Sequence, residues 1–355
     1  MWYMVTQSFK KPPTTMFHTA FSSSALLRSP IPFLLLTSSS LLLSGVTALT
    51  VSAMAQNIEA TPLVVTLEDY YNTTSYAFVN ALLPVGVNPR IDLHAGSEVH
   101  VLNDAPHRPD LRIVGTVVEF SYRIVADKRK GILQPSDLRG KRIGVVPNVT
   151  AEYFAYRYLR DVVGLNESEY TFVRTGALCY SLPCGNGTYP HMLATGELDA
   201  FTAFEPTTTV GGMAINEENA VFFRNDTLYR KLNVLYTTQA KLDNATTRAE
   251  IVGFLRALGK THEVFTREPE KIWPRVAKIT APMSNTTANM ATEEIMKKFW
   301  PLTKWSRALA ADLVDLMVEE DKWVAVIEGR SPMGKEMIQS LVDDGPLKEA
   351  LALEG

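Results

Sequence analysis

Two short stretches, residues 136–150 and 192–206, carry the side chains best suited to holding a small polar ligand. The first runs through Asn148, Val149 and Thr150 into an amphipathic segment. A helix start there presents unpaired backbone N–H groups, which favour a sulfonate, carboxylate or phosphate. Thr150 serves equally well as a plain helix cap. The second stretch ends in Phe204, Glu205 and Pro206. A buried Glu205 would prefer an amine-bearing or cationic ligand, or a partner arginine; the alternative is a solvated turn acid before proline. Glu152, in the first turn of the helix, already satisfies its dipole and speaks against a strongly anionic ligand. Tyr71, Tyr122 and Phe204 offer flat apolar walls, each with a core role as its alternative. The chain contains no G-x-S-x-G, H-E-x-x-H or Gly-rich phosphate loop, so no catalytic residue, cofactor or metal site is nominated.

The elements that position these groups follow from hydrophobic spacing. Ala151, Phe154, Ala155, Tyr158, Leu159, Val162 and Val163 make the stripe of a helix buried on one side, and Gly164 stops it. Residues 142–146 before it read as a short strand. In the second stretch a helix ends at Gly196, a strand runs over about 198–203, and Glu205-Pro206 turns the chain out of the sheet. Strand, helix and strand in this order form a parallel crossover unit.

In that order and spacing the segments DLRGKRIGVVPNVTAEYF, ATGELDAFTAFEP and, before them, LRIVGTVVEFSYRIVADKRKGI resemble the substrate-binding proteins of nitrate, taurine, alkanesulfonate and thiamine-pyrimidine transport. The resemblance covers roughly residues 110–240 well and the helical last third in general pattern. It implies an α/β, two-lobed type II periplasmic-binding-protein-like fold with a helical C-terminal part. The expected division is a leader over 1–55, a first lobe from 56–122 and 237–355, and a second lobe over 123–236. Residues 122–126 would cross outward and 232–237 return, making a hinge. In such a fold the ligand sits beyond the carboxyl ends of the strands. Tyr71, Glu119, Asn148, Val149, Thr150, Phe204 and Glu205 are therefore the expected ligand contacts.

The early chain fits that pattern least well. Residues 63–67 read as the first strand, and 76–83 as a helical segment. The interval 91–104 is then short, and the first lobe is expected to lack a helix and a strand. Farther on, Ile251, Phe254, Leu255, Leu258 and Phe265 line one helix face, and Leu309, Leu313, Leu316 and Met317 another.

With 355 residues, 46% hydrophobic and 21% charged, the chain can bury a sizeable core. A formal charge of -3 leaves no basic footprint, which excludes nucleic acid as a partner. No acidic residue occurs among the first fifty-five. Lys10, Lys11 and Arg28 precede an apolar run over 33–55, and Ala53-Met54-Ala55 offers a cleavage site. The serines in that run make it a poor span, so a cleaved signal is weighed above an uncleaved anchor. Seven sequons begin at Asn72, Asn148, Asn166, Asn186, Asn225, Asn244 and Asn285, where roughly two or three would arise by chance. They suggest a secreted, glycosylated eukaryotic, fungal protein. A glycan on Asn148 would stand at the cleft mouth. Cys179 and Cys184 flank a Pro-containing loop that an oxidising compartment closes with a disulfide; with His191 they make too few ligands for a metal.

The expected function is secreted binding of a small polar organic ligand, such as a sulfonate, amino acid or pyrimidine, by a monomer that closes two lobes and performs no chemistry. Whether a membrane transporter partners it is left open. The alternative is a repurposed or enzymatic relative of the branch that makes the thiamine pyrimidine.

Overall fold

A computed structural model describes residues 49–54, 57–71, 76–80, 88–280 and 291–354, all within one compact unit that begins at Val46. Two sheets organise it, and every strand can be placed by what covers its faces. The first sheet contains β1 (Leu49–Ala53), β2 (Tyr76–Asn80), β3 (Leu93–Ser97) and β4 (Leu111–Phe120). The chain then crosses to the second sheet for β5 (Ile124–Asp127), β6 (Arg142–Val145), β7 (Thr171–Val173), β8 (Ala200–Thr202) and β9 (Ala220–Phe223). It returns to the first for β10 (Lys231–Thr238) and the edge strand β11 (Thr303–Trp305), giving the orders β11-β4-β10-β3-β1-β2 and β7-β6-β8-β5-β9. β1 runs parallel to β2 and β3, and β6 parallel to β7 and β8, whereas β10 and β5 run antiparallel to their neighbours. The α/β two-lobed architecture is the one expected, with helices covering both sheets.

The first lobe corrects the sequence reading in three linked places. Residues 49–53, assigned to a leader ending at Ala55, form an interior strand: Leu49 pairs with Tyr76 on one side and Val51 with Leu93 on the other. Leu49, Val51 and Ala53 have no exposed surface, and Ser52 on the opposite face is also fully buried. A strand covered on both faces shows no polar alternation, so it merges with the apolar run before it. Residues 63–67, expected as the first strand, lie instead in a continuous helical run from Ile58 to Tyr70. Pro62 at its first α-helical turn suits a helix start. Leu63 and Leu67 face one core cluster and Val65 another, so burial on two sides erased the helical period. Residues 76–80, expected as helix, are β2.

The second lobe follows the expected order. The helix Thr150–Arg157 continues through a π turn to Val162, Gly164 takes a left-handed φ of 73°, and the helix Tyr189–Thr195 stops at Gly196, φ 80°. The return crossing differs. β10 belongs to the first sheet from Lys231 onward, so the boundary expected at 236 moves back to the link over 224–230. The helix Ala245–Arg267 buries Ile251, Phe254, Leu255, Leu258 and Phe265, the predicted stripe. Cys179 and Cys184 form the expected disulfide. Asn148, Asn166, Asn186 and Asn244 are exposed and Asn225 half-buried; Asn72 and Asn285 lie outside the described residues. No helix among the described residues is long and apolar enough to cross a membrane.

Candidate ligand cleft between the lobes

Chain direction brings one residue after another to the same place. Glu59 follows β1, Glu98 follows β3, Tyr122 follows β4, Thr150 follows β6 and Phe204 follows β8; Lys231 opens the antiparallel β10. All therefore lie at or just beyond the carboxyl ends of the parallel strands, where open α/β sheets hold ligands. They meet in a buried polar cluster between the two sheets.

Lys231 Nζ donates to Glu59 Oε1 at 2.5 Å and sits 4.9 Å from the centre of the Phe204 ring. An ammonium held between a carboxylate and an aromatic face is a favourable cation–π arrangement. Tyr229, from the return crossing, stacks on Tyr122 at 6.3 Å and donates to Glu98 Oε1 at 2.6 Å. Its hydroxyl also lies 3.0 Å from Glu320 Oε1, on the helix Leu313–Glu328. A single hydroxyl proton cannot serve both acids. Glu98 is the better carboxylate, because its second oxygen accepts the Leu232 N–H. Glu320 thus retains a proton. Burial pushes Glu98 up to about 7 despite the hydrogen bonds and Lys231, and burial plus the Glu98 charge holds Glu320 well above the usual carboxylate range. His100 is driven down to about 4 by burial and by Lys231, and stays neutral.

The seven predicted contacts divide. Phe204 reaches the cluster directly, and Thr150 reaches it through Tyr122, whose hydroxyl lies 2.7 Å from Thr150 Oγ1. Thr150 is no cap; Val149 holds that position without a side-chain hydrogen bond, and its carbonyl accepts from Glu152 and Tyr153. Asn148, at φ 57°, donates its N–H to Glu152 Oε2, whose other oxygen accepts from Arg174. The helix start offered for an anion is thus engaged by the chain's own acid.

Glu205 is not open to a ligand. Arg123 donates to its Oε1 through Nε and Nη2, while Thr209 donates to its Oε2 through both N–H and hydroxyl. The partner arginine left open by the sequence is Arg123. Glu119 is likewise taken, paired with Arg230 and Lys304. Burial alone would raise its pKa, but those two cations hold it below the ordinary value. Tyr71 is a core residue: its ring meets Phe254 edge-on at 5.8 Å and its hydroxyl donates to the Glu250 carbonyl. Glu59, Glu98, Tyr229, Lys231 and Glu320 went unnoticed in the sequence. Glu59 was hidden by the misplaced first strand, and Glu320 by the stripe of a helix read as packing alone. Glu98, directly after an apolar strand, was the one visible signal.

An open groove of about 490 Å³ lies between the Thr150 helix and the Leu313–Glu328 helix, lined by Tyr153, Arg157, Arg174 and Trp323 among others. Its arginines are already paired with Asp161 and Glu152. Among the described residues no group of three or more His, Cys, Asp or Glu is arranged to hold a metal ion.

With this geometry in hand, comparison with known proteins is specific. The pattern of the family described as NMT1/THI5 like matches residues 95–272, half of the chain. The chain belongs to the NMT1/THI5-like family. No curated protein matches it by sequence. Among solved structures, the alkanesulfonate-binding protein SsuA from Xanthomonas axonopodis pv. citri bound to MOPS is similar at a TM-score of 0.55 and 15% identity, covering 84% of this chain and 98% of that one. The ligand-binding component of an ABC-type import system from Staphylococcus aureus with zinc bound is similar at 0.59 and 11% identity, with 85% and 98% covered. The desulfurization enzyme DSZB is similar at 0.52 and 13%, with 87% and 99% covered. At such identities these three share the fold of this NMT1/THI5-like protein and nothing finer.

Proposed function

We propose that this protein binds a small polar organic molecule between its two lobes and closes on it by hinge motion, without chemistry. The observation that carries this reading is the convergence of residues following β1, β3, β4, β6 and β8, with Lys231, in one buried polar cluster. Among the described residues, crossings over 121–123 and 224–230 join the lobes, and such paired links absorb closure. The sulfonate, amino-acid and pyrimidine classes are all candidates, with the SsuA likeness as support for the first. The enzyme alternative is supported by a neighbour's name alone.

Export through the secretory pathway belongs to the same proposal. It is supported by the acid-free start of the chain and by the exposure of four sequon asparagines. A leader compatible with the fold ends before Leu49, because β1 is needed in the sheet. The amino-terminal sequence of the secreted product checks this directly.

A thermal-shift screen of the purified protein against these ligand classes tests the binding reading. A ligand at about a hundred times its dissociation constant stabilises the fold by about 2.7 kcal/mol, a shift of a few degrees. The shift should be lost in Phe204→Ala. No shift with any class, from a protein that melts cooperatively, sinks the reading.

A further inference from the structure

The cluster between the lobes holds more acid than it can neutralise. Glu59, Glu98 and Glu320 are all buried, the last two completely, and they face one ammonium, Lys231. Glu59 Oε2 and Glu320 Oε2 have no hydrogen-bond partner among the described residues. A buried carboxyl oxygen left unpaired is disfavoured, most of all on an ionised group such as Glu59, so each points to something that would supply a donor or a positive charge.

Among the described residues the surroundings supply no other cation. Facing Glu98 and Glu320 are Tyr229 from the return crossing, Lys231 from β10, Tyr122 from the outward crossing and Tyr153 from the helix after β6. Asp321, on Glu320's own helix, is held by Arg330. Beyond Tyr122 lies Glu59, a further acid. His100, near Lys231, is neutral. In the free protein a proton held between Glu98 and Glu320 removes one of the two excess negative charges. Rings line the same space: Tyr122 and Tyr229 are stacked, and Phe204 already receives an ammonium on its face.

We infer that the cleft takes a small ligand carrying a protonated amine or amidine on a partly aromatic frame, and that this cation replaces the proton shared by Glu98 and Glu320. The inference rests on the binding function proposed above and names its ligand class. Only a carboxyl O–H bond is broken, and its proton passes to the buffer. The class differs from the sulfonate named for the SsuA neighbour: the ammonium of Lys231 and the guanidinium groups of Arg123, Arg174 and Arg230 are each already paired with an acid.

Isothermal titration of the full chain with benzylamine, putrescine and agmatine, against benzyl alcohol and phenylmethanesulfonate as neutral and anionic controls, tests this. A cation should bind and the controls should not. In buffers of different ionisation heat, about one proton should leave per cation bound at pH 6.5, with affinity rising with pH for as long as the pair holds its proton. Glu320→Gln should abolish the proton release. Glu59→Gln should weaken binding about tenfold, and it provides a second variant should the first fold poorly. Cation binding without proton release overturns the inference. Binding of only neutral or anionic compounds, in this set or in the wider screen, overturns the ligand class and leaves the binding function standing. Silence throughout, from a cooperatively folded protein, overturns both.

Discussion

Glu98 and Glu320 approach from opposite ends of the chain to share the single hydroxyl of Tyr229, at 2.6 and 3.0 Å. The contact ties the helix after β3 to the C-terminal helix through the very segment that returns the chain from the second lobe. A carboxyl pair that holds a proton makes this contact sensitive to pH.

Stability should register that proton. Glu98 titrates near 7 in the folded protein, above the ordinary carboxyl value of 4.5, and Glu320 is raised as well. The folded state therefore binds more protons than the unfolded one between those values, and the contribution of Glu98 is full below about pH 4.5 and is lost as pH rises through about 7. Glu119, Asp127, Asp161 and Asp199 are depressed and act in the opposite sense at lower pH. Between pH 5 and 7.5 the wild type should lose a few degrees of melting temperature. Glu320→Gln, which keeps the shape without the titration, should lose less. Melts followed by circular dichroism across that range decide it; parallel curves for the two proteins would reject the shared proton.

The first strand gives a second prediction. A chain beginning at Gln56 lacks β1, whereas one beginning at Val46 retains it. Losing Leu49 and Val51 alone forfeits about 1.5–3 kcal/mol each in burial, and β2 and β3 are left without the strand that joins them. Against a typical margin of about 5–15 kcal/mol, the shorter chain should not fold cooperatively. A sharp melt from it would show that β1 is dispensable.

The same strand explains how much was readable in the sequence. The second lobe was legible because its breaks are marked chemically: Gly164 and Gly196 stop helices in left-handed conformations. β1 carries no such mark, and its burial on both faces makes it continuous with the apolar residues before it. In the site, Thr150 and Glu205 were visible as polar residues at strand ends. Their partners were not, since Tyr122 lies 28 residues from Thr150 and Arg123 lies 82 from Glu205. Sequence shows where a side chain stands on its own element, while what neutralises it is fixed by tertiary packing.

Arg123 and Glu205 should therefore behave as structural residues. Both side chains are nearly buried, at 12% and 3% exposure. Arg123→Met leaves a carboxylate buried among apolar groups and should cost about 3–5 kcal/mol. The double variant Arg123→Met/Glu205→Gln should recover most of that loss. Affinity for any ligand found by thermal shift should change less than threefold in the double variant, about the limit for a residue outside the site. A tenfold loss would return Glu205 to the cleft.

Glu59 and Lys231 form the corresponding pair inside the cleft, and there stability and binding should part. Lys231→Met strands Glu59 without its only side-chain donor among the described residues and should destabilise the protein by about 3–5 kcal/mol. Glu59→Gln should cost less, because an amide needs no countercharge. The double variant should then be more stable than Lys231→Met alone, with a coupling of about 0.5–3 kcal/mol in the cycle. Yet it should not bind, because both the carboxylate and the ammonium over Phe204 are gone. Chemical denaturation and calorimetric titration on the four proteins separate the two effects. A stable double variant that still binds with wild-type affinity would place the ligand away from this pair, despite its position beyond β1 and at the start of β10.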